Sequence, residues 1–459
     1  MSDDRQLSGF ERFLSLFTKV QAREGRCIAV LCLQAFLLMV AYYLIRPVRE
    51  ALILTEGSAE LRSYAVGVQA LLLIVLIPAY GLLVRRVATG RVFQCVNAFF
   101  ALNLVVFSLL GQAGWRFGFA FFVWGSIFSV MTVTQFWAFA TDLFNVKSGQ
   151  RLFGVIAVGV SAGAWIGSRL ASAGFETFGP YGLMLASAAV LVGAIFLSQL
   201  ARDCVPTTSR SAQPGDEQAA GEQGQAVRWL GGFAVIGRSR YLIGIAALVV
   251  LLNWIGSTGD YVLSNWLVDV ARREAPEAQA AFIGRFMGNY WSVITLVGLL
   301  VQLLLVSRII HMAGLTRALM VTPIAFLGGY LLIGVVPVFA MLESVLVMHK
   351  SLDYSLLNTT RCALLLPTSR DEKYQAKTAI DTLFFRVGDL LSTLSVIIGL
   401  RLLKDARLEF VWLIIVLSAT MTLVAWLVGR EYTRRFGVPR QSSGCGALPV
   451  TGPSAILAQ

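Results

Sequence analysis

The segment 350–389 concentrates charged side chains in a chain that otherwise consists mostly of long apolar runs. Its charged members of interest are Lys350, Asp353, Arg361, Lys377, Asp381, Arg386 and Asp389. Charges beside hydrocarbon are costly, so they usually line the path of a polar solute or pair with one another. Helical spacing predicts that Lys377 pairs with Asp381 and Arg386 with Asp389. The segment therefore predicts a solute-binding surface, a set of structural ion pairs, or both.

Two further arginines, Arg46 and Arg49, precede Glu50 at the end of the first long apolar run. On a helix they share a face, and Arg46 lies one turn from Glu50. Guanidinium groups suit phosphate and carboxylate, so this face predicts a binding surface for an anion. The alternative is that the helix ends near Ile45, before Pro47, and that both arginines lie at the outer membrane interface.

Three more charged residues are candidates for function. Asp260 stands in the middle of an apolar run, where Gly256 and Gly259 predict local unwinding near a binding site. The alternative for Asp260 is a satisfied ion pair with an arginine of the first apolar run. Asp142 lies at a short polar segment and is predicted to pair with Lys147 or Arg151. These charges either close a helical hairpin or form a gating pair.

The composition favours an integral membrane protein. Of 459 residues, 57% are hydrophobic and 14% are charged, and the mean hydropathy is +0.72. A soluble domain with so few charges would not cover its apolar surface. Apolar runs of about 20 residues match a bilayer core. Twelve spans are predicted, near 27–46, 64–84, 92–111, 117–140, 151–173, 181–200, 241–265, 286–306, 316–334, 338–360, 378–400 and 410–429.

The predicted architecture is an all-α integral membrane fold of twelve transmembrane helices in two six-helix halves, as in major facilitator transporters. The predicted divisions are a cytoplasmic amphipathic N-terminus (1–26), an N-terminal half (27–200), a cytoplasmic linker (201–240), a C-terminal half (241–430) and a cytoplasmic tail (431–459). Glycines of predicted span 5, namely Gly154, Gly159, Gly163 and Gly167, predict close helix packing.

The net charge of +12 is explained by the membrane rather than by nucleic acid. With the N-terminus inside, about 26 Lys and Arg fall on the inner side and about 10 on the outer side, as the positive-inside rule requires. Both termini are therefore predicted to be cytoplasmic.

Several functional classes find no support in the sequence. The two histidines, His311 and His349, and six cysteines without a CxxC pair do not predict a metal site or a disulfide framework. There is no Walker A motif for ATP hydrolysis. We expect no catalytic residues and no cofactor, and we expect a small anionic solute and the lipid bilayer as partners.

Four stretches resemble the ATP:ADP antiporter family, the nucleotide exchange carriers of plastids and intracellular bacteria. They are Leu44-Ile-Arg46-Pro-Val-Arg49-Glu50-Ala-Leu52, Phe136-Trp137-Ala-Phe-Ala-Thr-Asp142 to Phe153, Lys350-Ser-Leu-Asp-Tyr354-Ser355-Leu356 with Arg361 and Pro367, and Lys377-Thr-Ala-Ile-Asp381. They occur in order in both halves, so the resemblance covers nearly the whole chain. It implies a divergent bacterial member in the inner membrane.

The resemblance implies a central cavity and alternating-access exchange of a nucleotide or a related phosphorylated anion. Its binding charges map to Arg49, Asp260 and the stretch Lys350–Arg361, and Arg46 and Lys377 are further candidates. Asp353 replaces a family lysine, and the cations expected after Asp260 are absent near Ser264. Both departures weaken the case for a triphosphate substrate.

Two other hypotheses remain open at this point. The chain is a facilitator-type permease for another solute, with proton coupling through Asp260 or Asp381, or it is a non-transporting membrane sensor or scaffold. The paired charges expected within the membrane argue against the last of these.

Overall fold

The computed structural model describes residues 24–84, 89–143, 146–204, 235–402 and 407–436, and these residues are almost entirely helical. In the N-terminal half, span 1 is Glu24–Glu56, span 2 Ala59–Val84, span 3 Thr89–Gln112 and span 4 Gly118–Leu143. The helix Val146–Cys204 contains spans 5 and 6. It turns at Gly179, whose φ of 64° lies in the left-handed region that glycine adopts without strain.

In the C-terminal half, span 7 is Arg240–Glu274. Spans 8 and 9 lie within residues 279–335 and are separated by a turn at Gly314, with a φ of 77°. Span 10 comprises residues 339–364 and span 11 residues 370–402, and span 12 is Arg407–Phe436. The expected N-terminal helix, most of the linker and the residues of the tail after 436 fall outside the described ranges.

Nine stretches of the described chain are long and apolar enough to cross a membrane. Two of them, Phe153–Arg202 and Gln279–Val335, are long enough to cross twice and contain the turns at Gly179 and Gly314. The interrupted helix of span 10 supplies one more crossing. The described residues therefore contain the twelve predicted spans.

Span 1 continues past Ile45 and Pro47 to Glu56 as one helix. The alternative that this helix ends near Ile45 is wrong, and both arginines lie within the bundle rather than at its edge. Span 5 packs closely on span 1, where a Cβ at Gly167 would lie 2.9 Å from the Cα of Val40. Gly154 differs from the other span 5 glycines, because a Cβ there would meet nothing within 4 Å.

Three spans of the C-terminal half contain a π-helical turn: Val301–Val306 in span 8, Asp353–Leu357 in span 10 and Ile380–Phe384 in span 11. A π-turn widens the helix and often marks a functional position. Two of the three turns lie in the polar segment 350–389. They displace the charged side chains of that segment from regular helical spacing.

The chain alternates direction from span to span, which defines two faces of the bundle. Face A is the side on which span 1 ends, at Glu56, and face B is the side on which it begins. The two halves contact each other through spans 5 and 8 and through spans 2 and 11. Near face A, a Cβ at Gly288 would lie 2.7 Å from the backbone nitrogen of Ser172. The Thr393 hydroxyl donates to the Ser63 carbonyl at 3.0 Å.

Candidate functional site

A chain of alternating charges crosses the middle of the protein from one half to the other. In the N-terminal half, Arg62 Nε donates to Glu50 Oε2 at 2.6 Å, and Nη2 donates to Oε1 at 3.3 Å. In the C-terminal half, Lys350 Nζ donates to Asp260 Oδ2 at 3.0 Å. Arg62 Nη2 lies 3.9 Å from the same Asp260 oxygen. Four charges from spans 1, 2, 7 and 10 thus form one network.

Arg49 extends this network within the N-terminal half. Its Nη2 lies 3.6 Å from Glu50 Oε1, and its Nη1 donates to the Ser126 hydroxyl at 3.0 Å. Ser126 in turn donates to Gln69 Oε1. The side chain of Arg49 is 12% exposed, and its buried Nε has no hydrogen-bond partner. Arg49 therefore shares an acid with Arg62 and keeps one donor unused.

Arg46 has no acidic partner within the described part of the chain. Nη1 lies 3.3 Å from the Tyr43 hydroxyl, and Nη2 lies 3.5 Å from the Tyr354 hydroxyl of span 10. The guanidinium carbon lies 3.2 Å from the ring centroid of Trp291 in span 8. The buried Nε has no hydrogen-bond partner. A positive charge in a low-dielectric site is stabilised far better by an anion than by hydroxyl groups and a ring face.

Arg386 and Asp389 form the predicted pair, with Nη1 donating to Oδ2 at 3.2 Å. The Ser257 hydroxyl of span 7 donates to Asp389 Oδ1 at 2.6 Å, which anchors the carboxylate between spans 7 and 11. Asp389 is buried, whereas Arg386 is 15% exposed and leaves its buried Nε unpaired. The pair is structural at the carboxylate end and has a free donor at the cationic end.

The predicted pairing of Lys377 with Asp381 is wrong. Asp381 Oδ1 lies 3.3 Å from Arg361 Nη2 of span 10, and the side chain of Lys377 is exposed. The physical reason is the π-turn that begins at Ile380, because it changes the angular spacing between Lys377 and Asp381. Arg361 and Asp381 instead link spans 10 and 11 near face B.

The glycines next to Asp260 also differ from expectation. Span 7 is a continuous helix from Arg240 to Glu274 and does not unwind at Gly256 or Gly259. Instead, a Cβ at Gly259 would lie 2.7 Å from the Tyr330 hydroxyl. Gly256 and Gly259 therefore leave space for the side chains that pack around Asp260, and they do not interrupt the helix.

Asp260 forms an ion pair, as the alternative for this residue predicted. Its partners are Lys350 and Arg62, however, and not an arginine of span 1. Asp142 is exposed at the face B end of span 4. The side chain of Arg151 lies outside the described residues, so the gating pair with Asp142 stays a prediction.

Sequence reasoning missed two members of the site. Arg62 lies near the start of span 2, where the sequence predicts that a basic residue is at the membrane surface. In the structure its side chain is only 8% exposed. Trp291 belongs to the run Asn289-Tyr290-Trp291 in span 8, and aromatic residues in a span usually pack against lipid or other helices. Glu50 could have indicated Arg62, because an acid within a membrane span requires a cationic partner, and the arginines next to Glu50 were already assigned to the substrate.

The site is closed toward face A and open toward face B. On the face A side, Arg169 donates to Asn289 at 2.9 Å and Arg285 lies 2.5 Å from Glu176, both between spans 5 and 8. Tyr354 contacts Arg46 across the two halves, yet its side chain is 46% exposed. A side chain at the interface of two halves is exposed only if space separates them on one side. The described contacts that hold spans 5 and 8 together lie on the face A side, so this space lies toward face B, and the candidate site is the base of a cleft that opens there.

A family described as TLC ATP/ADP transporter matches residues 113–434, which is more than half of the chain. The chain belongs to this family. Because it is a family of transporters, the TLC chain is a transporter and not an enzyme.

Curated relatives agree with the family assignment. ADP,ATP carrier protein 2 of Chlamydia trachomatis is 24% identical over 94% of the TLC chain and 93% of its own length. ADP,ATP carrier protein 1 of Chlamydia pneumoniae is also 24% identical, over 60% of the TLC chain and 58% of its own length. The resemblance expected from four short stretches is confirmed over nearly the whole chain, at the low identity of a divergent member.

Solved structures confirm the fold. The crystal structure of the nucleoside transporter NupG superimposes with a TM-score of 0.64, covering 88% of the TLC chain and 99% of that protein at 12% identity. The POT family transporter PepTSo gives a TM-score of 0.63 at 13% identity, covering 89% and 99% of the two chains. At such identities the likeness concerns architecture alone. The TLC chain has the major facilitator-like fold that the sequence predicted.

Proposed function

We propose that this protein exchanges adenine nucleotides, or closely related phosphorylated anions, across a membrane by alternating access. The proposal is supported by the family assignment, by the names of the Chlamydia relatives and by the cations at the base of the cleft. The observation that carries it is Arg46, a half-buried guanidinium with no acid beside it in the described chain and with a buried Nε donor that has no partner. An anionic group of the substrate completes this site.

The substrate phosphates bind between the two halves in this proposal. Arg46 and Arg49 contribute from span 1, and each retains a buried donor without a partner. Lys350 contributes from span 10, where its Nζ forms an ion pair with Asp260. Three further cations attract the anion as it enters from face B. They are Arg361 of span 10 and Lys377 and Arg386 of span 11.

Binding is coupled to movement because Arg46 touches both halves. Its contacts with Trp291 and Tyr354 tie span 1 to spans 8 and 10 in the state that is closed at face A. A phosphate oxygen is a stronger partner for guanidinium than a ring face or a phenol. When the substrate binds Arg46, the contacts of Arg46 with Trp291 and Tyr354 weaken, and the two halves can rotate relative to each other.

Exchange rather than one-way release follows from the same charges. An empty, closed cavity would hold Arg46 away from water with no counter-ion, and such a state is costly. The bound anion removes that cost. The protein therefore crosses between its two states mainly when loaded, in either direction, and this behaviour produces counter-exchange.

We further propose that face B is cytoplasmic and that the membrane is a bacterial inner membrane. The Lys and Arg bias of the loops supports this orientation. The matched carriers come from bacteria. The cleft in the present state then opens to the cytoplasm.

The test is uptake of labelled ATP into proteoliposomes that contain the purified protein. Vesicles preloaded with ADP are compared with unloaded vesicles and with protein-free vesicles. Uptake that requires internal ADP is the expected result. Equal uptake in loaded and unloaded vesicles would contradict exchange, and no uptake of any adenine nucleotide by inserted protein would contradict the substrate class.

A further inference from the structure

We infer that Asp353 limits the negative charge of the substrate, so that the carrier favours a less charged phosphorylated anion over a triphosphate. This inference rests on the proposed function and names the charge class of its substrate. Asp353 begins the π-turn of span 10, one helical turn from Lys350 and just before Tyr354. Its side chain is half-buried on the open side of the Lys350–Asp260 pair.

Asp353 differs from the other acids of the site because its charge is not neutralised. Within the described chain, no hydrogen bond or ion pair reaches its carboxylate. The remaining acids all have cationic partners, namely Glu50 with Arg62, Asp260 with Lys350, Asp381 with Arg361 and Asp389 with Arg386. A lone carboxylate in a half-buried position is unfavourable for stability.

The cations nearest to Asp353 are already committed. Lys350 lies one turn before Asp353 in span 10, and Arg361 lies about two turns after it. Lys350 lies 3.0 Å from Asp260, and Arg361 lies 3.3 Å from Asp381. Each brings its own counter-charge, so neither cancels Asp353. The carboxylate therefore adds a negative charge to the cleft close to the cations that receive phosphate.

The charge balance of the cleft explains the selectivity. Each of the four ion pairs sums to zero charge, so Arg46 and Arg49 supply the positive charge that remains at the described site, and the negative charge of Asp353 opposes it. A monophosphate or diphosphate held at Arg46 and Arg49 keeps its charge on the span 1 side. Each added phosphate extends the charge toward span 10 and Asp353, where repulsion in a partly dehydrated site is strong.

The experiment measures selectivity as a ratio, which expression level and partial loss of activity do not change. Uptake of labelled ADP into ADP-loaded proteoliposomes is inhibited with AMP, ADP and ATP, and the inhibitory concentration of ATP is divided by that of AMP. ATP carries about two more negative charges than AMP. The variants are Asp353→Asn and Asp353→Ser, which remove the charge, and Asp353→Glu, which retains it.

Glu431→Gln is the matched control, because it removes an acid that pairs with Arg435 away from the cleft. We expect the ATP-to-AMP ratio to fall about tenfold in both neutral variants, and to stay within twofold of the unmodified protein in Asp353→Glu and Glu431→Gln. An unchanged ratio in the neutral variants would overturn the role of Asp353 while leaving nucleotide exchange intact. Failure of all three nucleotides to compete in the unmodified protein would overturn the proposed function and this inference with it.

Discussion

Arg62 Nη2 lies 3.9 Å from Asp260 Oδ2, and this approach joins the two halves of the carrier at their centre. Each residue has a closer partner in its own half: Arg62 is 2.6 Å from Glu50, and Asp260 is 3.0 Å from Lys350. The contact between halves is longer than a hydrogen bond and therefore weaker than either pair. The pairs within each half can persist through the transport cycle while the contact between them breaks and re-forms.

Replacing Glu50 with glutamine should destabilise the protein. Glu50 is the buried acid between Arg49 and Arg62, and its loss leaves two buried cations without their common counter-ion. We expect the free energy of unfolding to fall by about 3–5 kcal/mol. The measurement is thermal unfolding of the purified protein in detergent. Glu431→Gln is the control, because Glu431 pairs with Arg435, whose side chain is 39% exposed. Its free energy of unfolding should fall by less than about 1 kcal/mol. Equal losses of stability in Glu50→Gln and Glu431→Gln would contradict this account.

Removing both charges of the Asp260–Lys350 pair should separate stability from transport. Lys350→Met alone leaves the Asp260 carboxylate with only the distant Arg62, and this should lower both stability and exchange. The double variant with Asp260→Asn should regain most of the stability, because no charge is left alone. Exchange should stay at least about tenfold below the unmodified protein, because Lys350 also receives phosphate. Full recovery of exchange in the double variant would show that the pair is purely structural.

Substituting Gly288 should block closure at face A. Gly288 lets span 8 approach the backbone of Ser172 in span 5, where even a Cβ would be 2.7 Å from the nitrogen. Backbone does not yield as a flexible side chain does, so Gly288→Val should hold the halves apart at face A. We expect exchange to fall by at least about a hundredfold, since strain of a few kcal/mol in one state is sufficient for that.

The matched control for Gly288 is Gly328→Val in span 9, where a Cβ would meet nothing within 4 Å. Spin labels on the face A ends of spans 5 and 8 report the separation of the halves. A longer distance in Gly288→Val, and an unchanged one in Gly328→Val, is expected. A short distance in Gly288→Val would contradict the assigned contact.

The sequence was sufficient for the fold because hydrocarbon thickness sets the length of each span. Twelve apolar runs and a polar linker after the sixth predicted two six-helix halves, and the structural likeness to known transporters confirms this architecture. The sequence did not decide whether span 1 continues through Pro47, because proline breaks a helix in water but is tolerated in a membrane where neighbouring helices surround it. The structure shows that the helix continues to Glu56.

The site was predictable by residue type but not by partner. Arg46, Arg49, Asp260 and Lys350 stood out as charges within apolar runs, and all four lie in or beside the central network. Pairing failed for Lys377 and Asp381, because a π-turn is a single-residue change in helical register that sequence periodicity does not show. Arg62 was missed because burial of a residue near a helix end depends on contacts between distant spans.

Nucleotide binding at Arg46 is the most direct test of the account. Calorimetric titration of ATP and ADP into the purified protein in lipid nanodiscs is compared with the same titrations for Arg46→Gln. Arg434→Gln, whose side chain is 82% exposed, is the matched control. We predict that Arg46→Gln weakens the binding of both nucleotides by about a hundredfold, since it removes a buried charge from a hydrogen-bonded contact, and that Arg434→Gln binds as the unmodified protein does. Unchanged affinity in correctly inserted Arg46→Gln would contradict the claim that this guanidinium receives the substrate.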